Sequence, residues 1–234
     1  MKVSVMATPL NILPGALDGA AAIVIDALRM TSVAVTALSN GCAGVLACAE
    51  VDSARQAASE TGALLGGERN AVLIPGFDFS NSPLEYTRER IAGRRLVMST
   101  SNGTKAIAAV SGAKRALLGA FLNASAAARA VADEESVVIV CAGTLGAFTL
   151  EDALAAGAIL EALRAQGASP VLDDMAVAAQ MLYQSAKADL YAALMPTKHF
   201  TRLRTLGFEE DLRYCLTLDA LSNAPERGED GWFR

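Results

Sequence analysis

The residues best equipped for chemistry in this chain stand just past short apolar runs. Asp26 follows "AAIVI" directly, with Arg29, Thr31 and Ser32 close behind. Glu68 and Arg69 close "ALLGGER", and Thr100, Ser101, Asn102, Gly103 and Thr104 follow "RRLVMS". After "SVVIV" come Cys141, Ala142, Gly143 and Thr144, with Glu151 and Asp152 a little further on. Carboxylates, arginines and small donors thus recur at one kind of position. A carboxylate next to a buried apolar run needs a partner or a metal. Hydroxyls and an amide at a strand end, with a glycine that allows close backbone approach, suit an oxyanion cradle. The N–H groups and dipole of a following helix would aim at the same spot, and Lys105 or Arg69 would add a full charge. An ordinary helix N-cap by Ser101 or Asn102 also accounts for these residues, and a salt bridge also accounts for Arg29 or Arg69.

The elements that must position these groups alternate along the chain. "AAIVIDAL" (21–28), "AGVLACA" (43–49), "ALLGGER" (63–69), "RRLVMST" (94–100), "RALLGAF" (115–121) and "SVVIVCAG" (136–143) are apolar runs of strand length. Between them lie helix-patterned stretches. "TSVAVTALSNG" closes on Asn40-Gly41, and another runs from about Asp52 to Gly62. The stretches 151–166 and most of 173–194 also read as helical. Short connections carrying glycine predict an α/β fold with a mostly parallel sheet covered by helices. In such a sheet ligands sit beyond the carboxyl ends of the strands. With 234 residues and no repeat, low-complexity linker or charge block, one unit over 1–234 is expected.

Composition excludes several classes. The net charge is −5 and no basic stripe is present, which argues against nucleic acid and membrane-surface partners. No apolar run approaches the roughly 20 residues of a membrane span. The N-terminus lacks a long apolar region followed by a cleavage site, so a cytoplasmic protein is expected. Cys42, Cys48, Cys141 and Cys215 show no CxxC spacing and read as buried thiols. His199 is the only histidine, which rules out a zinc site built on histidines. It reads as a structural or solvated residue, or as a helper near the site. Any catalytic metal must be held by oxygen, which points to magnesium or manganese on carboxylates. GxxxxGK[ST], GxGxxG after a strand and GxSxG are all missing. Ala27 and Leu28 after Asp26 break the haloacid-dehalogenase pattern, and Ala147 breaks that of the cysteine phosphatases after Cys141.

Several blocks together resemble one family, the 2-phosphosulfolactate phosphatases (ComB family). They are "IDALRMTS" (25–32), "GER" (67–69) with "GFDFSNSPLEY" (76–86), "TSNGTKA" (100–106) and "LNASA" (122–126). "CAGTLGAFTLEDALAAG" (141–157) and "GFEEDLRYC" (207–215) complete the set, in the family's order and spacing. The resemblance implies a layered α/β/α fold of the family's own type and a homodimer. The implied activity is a magnesium-dependent acid phosphatase that cleaves a small anionic phosphoester, 2-phospho-3-sulfolactate, to 3-sulfolactate and phosphate. In methanogenic archaea the family serves coenzyme M synthesis.

By resemblance, the acidic positions are Asp26, Glu68, Asp78, Glu151 and Asp152. Asp26, Asp78 and Glu151 are the implied metal ligands, and Asp26, Glu68 and Asp152 the implied catalytic groups. Arg29 and Arg69 would clamp phosphate or sulfonate. Thr100, Ser101, Asn102, Gly103 and Thr104 match the donor loop, and Asn81 and Ser82 the pair before Pro83. Met30, Ser80 and Phe200 depart from the residues usual in the family, the first two inside site blocks, which leaves the substrate's shape open. A phosphatase for another small phosphorylated hydroxy acid and a non-catalytic anion-binding relative are the alternatives.

Overall fold

A computed structural model describes residues 1–234. The chain begins with β1 (Lys2–Met6), β2 (Ala21–Ile25), α1 (Met30–Ser39), β3 (Gly44–Ala47) and α2 (Val51–Thr61). Next come β4 (Leu64–Arg69), β5 (Val72–Leu73), α3 (Arg88–Ile91), β6 (Arg95–Ser99), α4 (Gly103–Ala109) and β7 (Arg115–Gly119). They are followed by α5 (Ala124–Ala130), β8 (Ser136–Cys141), α6 (Leu150–Ala165), β9 (Val171–Leu172) and α7 (Asp174–Ala186). Three short helices end the chain: α8 (Leu190–Leu194), α9 (Lys198–Thr205) and α10 (Glu209–Cys215).

The strands form two sheets. One has five strands in the order β7-β2-β8-β1-β9, all parallel. The other has four in the order β3-β6-β4-β5, parallel except for the β4–β5 pair. The architecture is therefore α/β and layered, with its mostly parallel strands divided over two sheets. Parallel strands covered on both faces must be apolar throughout, and β2 is buried at every residue.

Alternation along the strands shows how the layers stack. Ala21, Ile23 and Ile25 of β2 face a core shared with α5, α6 and α7, while Ala22 and Val24 face a second core. That second core also takes Met30, Val33 and Ala34 of α1, Ala106 of α4, and Leu96 and Met98 of β6. Val97, on the opposite face of β6, joins Ala54 and Ala58 of α2. Helices α1 and α4 are thus sandwiched between the sheets, which explains why α1 shows almost no polar face. Helix α2, by contrast, buries only Ala54 and Ala58 and ends at Gly62, whose φ of 64° supplies the left-handed C-cap.

Two features were not foreseen. The first five-residue strand, "KVSVM", pairs with β8 in mid-sheet, and the C-terminal Phe233 exchanges backbone hydrogen bonds with Val45 of β3. No helix is long and apolar enough to cross a membrane.

Candidate active site

The carboxyl ends of β2, β4, β6 and β8 converge, two from each sheet, and a narrow cavity opens where they meet. Asp26, Glu68, Ser101, Asn102, Thr144 and Leu145 line it from the strand ends. Arg29, Asn70, Ala71 and Asn81 come from the loops, and His199 and Arg202 from α9.

Asp26 sits on the last rigid peptide of β2. Its backbone N–H donates to Thr31 Oγ1 at 3.0 Å, and its Oδ1 accepts from Met30 N at 3.3 Å. Burial pushes its carboxyl up to about 6, aided by the charges of Glu68 and Glu151; the His199 charge and the Met30 N–H pull the other way. Gly103 makes this position available. A Cβ at Gly103 would lie 2.5 Å from Asp26 Oδ2 and 2.7 Å from Met30 Cβ, so only glycine lets α4 start so close to the carboxylate.

Glu68 is held by the donor loop. Its Oε1 accepts from Ser101 N at 2.8 Å, and its Oε2 accepts from Ala71 N at 2.7 Å and from the Ser101 hydroxyl at 3.3 Å. The loop therefore grips a carboxylate of the protein itself. Thr100 and Thr104 brace it: Thr104 N donates to Thr100 Oγ1, and Thr104 Oγ1 donates to the Thr100 carbonyl at 2.9 Å. Asn102 Oδ1 accepts from Leu145 N at 3.1 Å, which ties the β6 loop to the β8 loop. Lys105 is exposed and stands outside the cavity.

Arg29 is only 2% exposed, yet it lines the cavity. It pairs with the equally buried Asp211, and its Cζ lies 3.9 Å from the centre of the Phe208 ring. Asp211 Oδ1 in turn accepts from the Ser82 hydroxyl at 2.7 Å. Ser82 thus supports the arginine from behind, while its neighbour Asn81 lines the cavity with a buried Oδ1 that has no partner.

Glu151 and Asp152 open α6, where the helix dipole favours negative charge. Glu151 Oε1 meets His199 Nδ1 at 2.6 Å, and its buried Oε2 has no partner. Burial lowers the His199 pKa, but the hydrogen bond and charge of Glu151, with the charges of Asp26 and Asp152, outweigh it and raise the group above its ordinary value. Asp152 accepts from Ala27 N and Gly143 N, each at 2.9 Å, and from the Thr149 hydroxyl at 3.0 Å. Burial and the charges of Asp26 and Glu151 push its carboxyl up to about 8 against the backbone N–H bonds.

The remaining expected residues do not gather here. Asp78 is exposed on the bend before Phe79, and its Oδ2 accepts from Leu65 N at 2.8 Å. No three carboxylate, cysteine or histidine side chains converge closely enough to hold a metal ion by themselves. The expected set of Asp26, Asp78 and Glu151 is therefore not assembled, because Asp78 serves the Leu65 N–H and does not line the cavity. Arg69 bonds the carbonyls of Glu68 and Ala49 and the Ser99 hydroxyl at 2.8–2.9 Å, and lies off the cavity. Asp152 supports the wall from behind, joining the ends of β2 and β8. The residues that sequence reasoning missed are Asp211, Asn70, Ala71, Leu145 and Arg202. Asp211 belongs to "GFEEDLRYC", and nothing local marks it as the partner of Arg29. Asn70, Ala71 and Leu145 share one signature: left-handed backbone at φ 57°, 64° and 53° without being glycine.

A family profile described as 2-phosphosulpholactate phosphatase matches residues 7–230. The chain belongs to that family. A relative from Clostridium novyi named probable 2-phosphosulfolactate phosphatase is 38% identical over 229 residues, covering 97% of both chains. Proteins of the same name from Caldanaerobacter subterraneus subsp. tengcongensis and Thermotoga petrophila are 42% and 41% identical. They cover 87% of this chain, and the alignments span 86% and 87% of their own lengths. The family blocks account for both sheets' contributions to the cavity. "IDALRMTS" supplies Asp26 and Arg29, "GER" supplies Glu68, and "TSNGTKA" the loop that holds Glu68 and makes room for Asp26.

The oxygen donors present suit a hard cation. Magnesium binds through one or two carboxylates and keeps waters and substrate oxygens in its other positions, so three protein carboxylates are not required. Asp26 and Glu68 face the same cavity and repel each other, and the orphaned Asn81 Oδ1 stands beside them without a donor.

Proposed function

We propose that the protein is a magnesium-dependent phosphatase that hydrolyses 2-phospho-3-sulfolactate to 3-sulfolactate and phosphate. The observation that carries this reading is the meeting of Asp26, Glu68 and the fixed guanidinium of Arg29 at one cavity of a family member. The family's named activity is a phosphomonoester hydrolysis, and the relatives' name supports that substrate.

Asp26 and Glu68, with the Asn81 amide oxygen, would hold the magnesium ion. When bound, it would polarise a phosphoryl oxygen and offset the charge that gathers there. Arg29 cannot swing away, because Asp211 and Phe208 hold both its charge and its plane. It presents a fixed cation to the phosphoryl oxygens as the ester breaks. Glu151 on Nδ1 raises the His199 pKa, so that a proton on Nε2 would be at hand for the leaving alkoxide. Asp152 keeps the Ala27 and Gly143 amides in place, and so fixes the strand end that carries Asp26. The homodimer and a role in coenzyme M synthesis rest on the resemblance, and the cytoplasmic setting on the N-terminus and the cysteines; all three stand as part of the same proposal.

The test is phosphate release from 2-phospho-3-sulfolactate with magnesium and then with excess chelator. Plain 2-phospholactate runs alongside, and circular dichroism monitors folding. Magnesium-dependent release is expected. Release from phospholactate alone would replace the substrate and keep the chemistry. Intact folding without release from either ester would favour a non-catalytic anion-binding relative.

A further inference from the structure

A second, larger cavity adjoins the first, of about 480 Å³. The two share Thr144, Leu145, His199 and Arg202 on their common border. Their charges differ in sign. In the first, Asp26 and Glu68 face inward against Arg202 on the border, and the buried Arg29 is matched by Asp211. In the second, the only carboxylate is Glu151, and it is matched by His199. Lys198 and Arg202 are left over. Neither is in an ion pair with any carboxylate of the chain, and the only hydrogen bond from the Arg202 guanidinium goes to the Asn70 carbonyl at 3.1 Å. They stand four residues apart on α9, a spacing that puts both on one helix face. Phe148 and Leu145, both solvent-exposed, give the same cavity apolar surface.

We infer that this second cavity is a subsite for the end of the substrate remote from the phosphoester. In it Lys198 and Arg202 bind the sulfonate, while Phe148 and Leu145 flank the methylene that joins it to the ester-bearing carbon. The inference rests on the phosphatase reading and adds the residues that choose the substrate. An anion entering the first cavity meets two carboxylates and needs a cation beside it. An anion entering the second meets two cations in no ion pair, so with the phosphoester at the first cavity the sulfonate is placed towards Lys198 and Arg202. Arg29 and Arg69 were the sequence's candidates for a sulfonate clamp. Arg29 is already matched by Asp211, and Arg69 lies off both cavities.

Lys198 and Arg202 are both exposed, so Lys198→Gln, Arg202→Gln and the double variant should fold. The readout is the ratio of kcat/KM for 2-phospho-3-sulfolactate to that for 2-phospholactate, which lacks the sulfonate. Each single variant should lower the ratio about tenfold, through KM for the sulfonated ester, and the double variant should bring it close to one. An unchanged ratio, an equal fall for both esters, or a wild-type protein that hydrolyses both esters equally would overturn the subsite. A wild-type protein that hydrolyses neither would overturn the phosphatase reading instead. Calorimetric binding of 3-sulfolactate keeps the two questions apart. Loss of binding in the double variant supports the subsite whether or not either ester turns over, and equal binding by wild type and variant refutes it.

Discussion

Replacing Glu151 by glutamine offers a direct view of the electrostatics around the cavity. His199 is the only histidine of the chain, so its ring Cε1–H gives a single NMR resonance whose titration needs no assignment. In the wild type that resonance should titrate above the ordinary 6.5. The Nδ1–Oε1 contact of 2.6 Å is a charge-assisted hydrogen bond, worth about 1.5–3 kcal/mol in a buried setting. His199 keeps some solvent contact, its side chain being 21% exposed, so the lower end of that range applies. At about 1.4 kcal/mol per pKa unit, Glu151→Gln should lower the His199 pKa by roughly one unit, because burial then acts with less opposition.

The sign on stability follows from the raised folded value. The pair's pH-dependent contribution is fully present below the unfolded pKa and is lost as pH rises through the folded one. The stability lost in Glu151→Gln should therefore be greater below 6.5 than above the wild-type pKa. The same substitution also relieves the repulsion that Glu151 exerts on Asp26 and Asp152, so unfolding curves alone would mix three effects. The histidine resonance, recorded with chelator present, reports His199 alone, with the charges of Asp26 and Asp152 acting in the same direction as Glu151. A wild-type titration at or below 6.5, or a shift under about 0.3 units on substitution, would refute the ion pair and the proton it is said to hold on His199.

Three further predictions follow from the geometry. Gly103→Ala forces a methyl group against Asp26 and Met30, both buried, and should cost about 1–3 kcal/mol by chemical denaturation while lowering kcat at least tenfold. Asp211→Asn leaves Arg29 as an unmatched buried charge and should cost about 3–5 kcal/mol; a loss under about 1 kcal/mol would show that the pair is solvated. Leu145→Asn removes an exposed apolar side chain from left-handed backbone, a conformation that costs about 1–2 kcal/mol for most residues. It should raise the denaturation midpoint; a lower midpoint would show that the side chain packs against something.

Much of the framework was legible because parallel strands buried on both faces leave unbroken apolar runs. "AAIVI", "RLVMS" and "SVVIVC" stand out in the sequence and prove to be β2, β6 and β8. "KVSVM" was not legible in the same way. Its residues alternate because only the face of β1 that carries Val3 and Val5 is fully covered. The division into two sheets also escaped the sequence. Alternation of strand and helix is the same whether a crossover returns to its own sheet or passes to the next. Long-range pairing was out of reach for a similar reason: Arg29 and Asp211 lie 182 positions apart, and the nature of an acidic residue says nothing about which cation it will meet.

Strand parity separates the two charged neighbours at the end of β4. Glu68 and Arg69 are both expected at the site, as neighbours at the end of one apolar run and as members of the family block "GER". Successive side chains on a strand point to opposite faces, so two neighbours at the end of β4 cannot both face one cavity without a bulge. The structure obeys that parity. Glu68 turns towards Ser101 and the cavity, and Arg69 turns towards Ala49 and Ser99. Glu151 and Asp152 raise the helical version of the same problem, since adjacent residues on α6 are turned about 100° apart. One reaches His199 and the other the backbone of Ala27 and Gly143. In each pair a single residue faces the chemistry while its neighbour secures the scaffold. For Glu68 and Arg69 the period of the strand was enough to show that only one of the two belonged in the cavity.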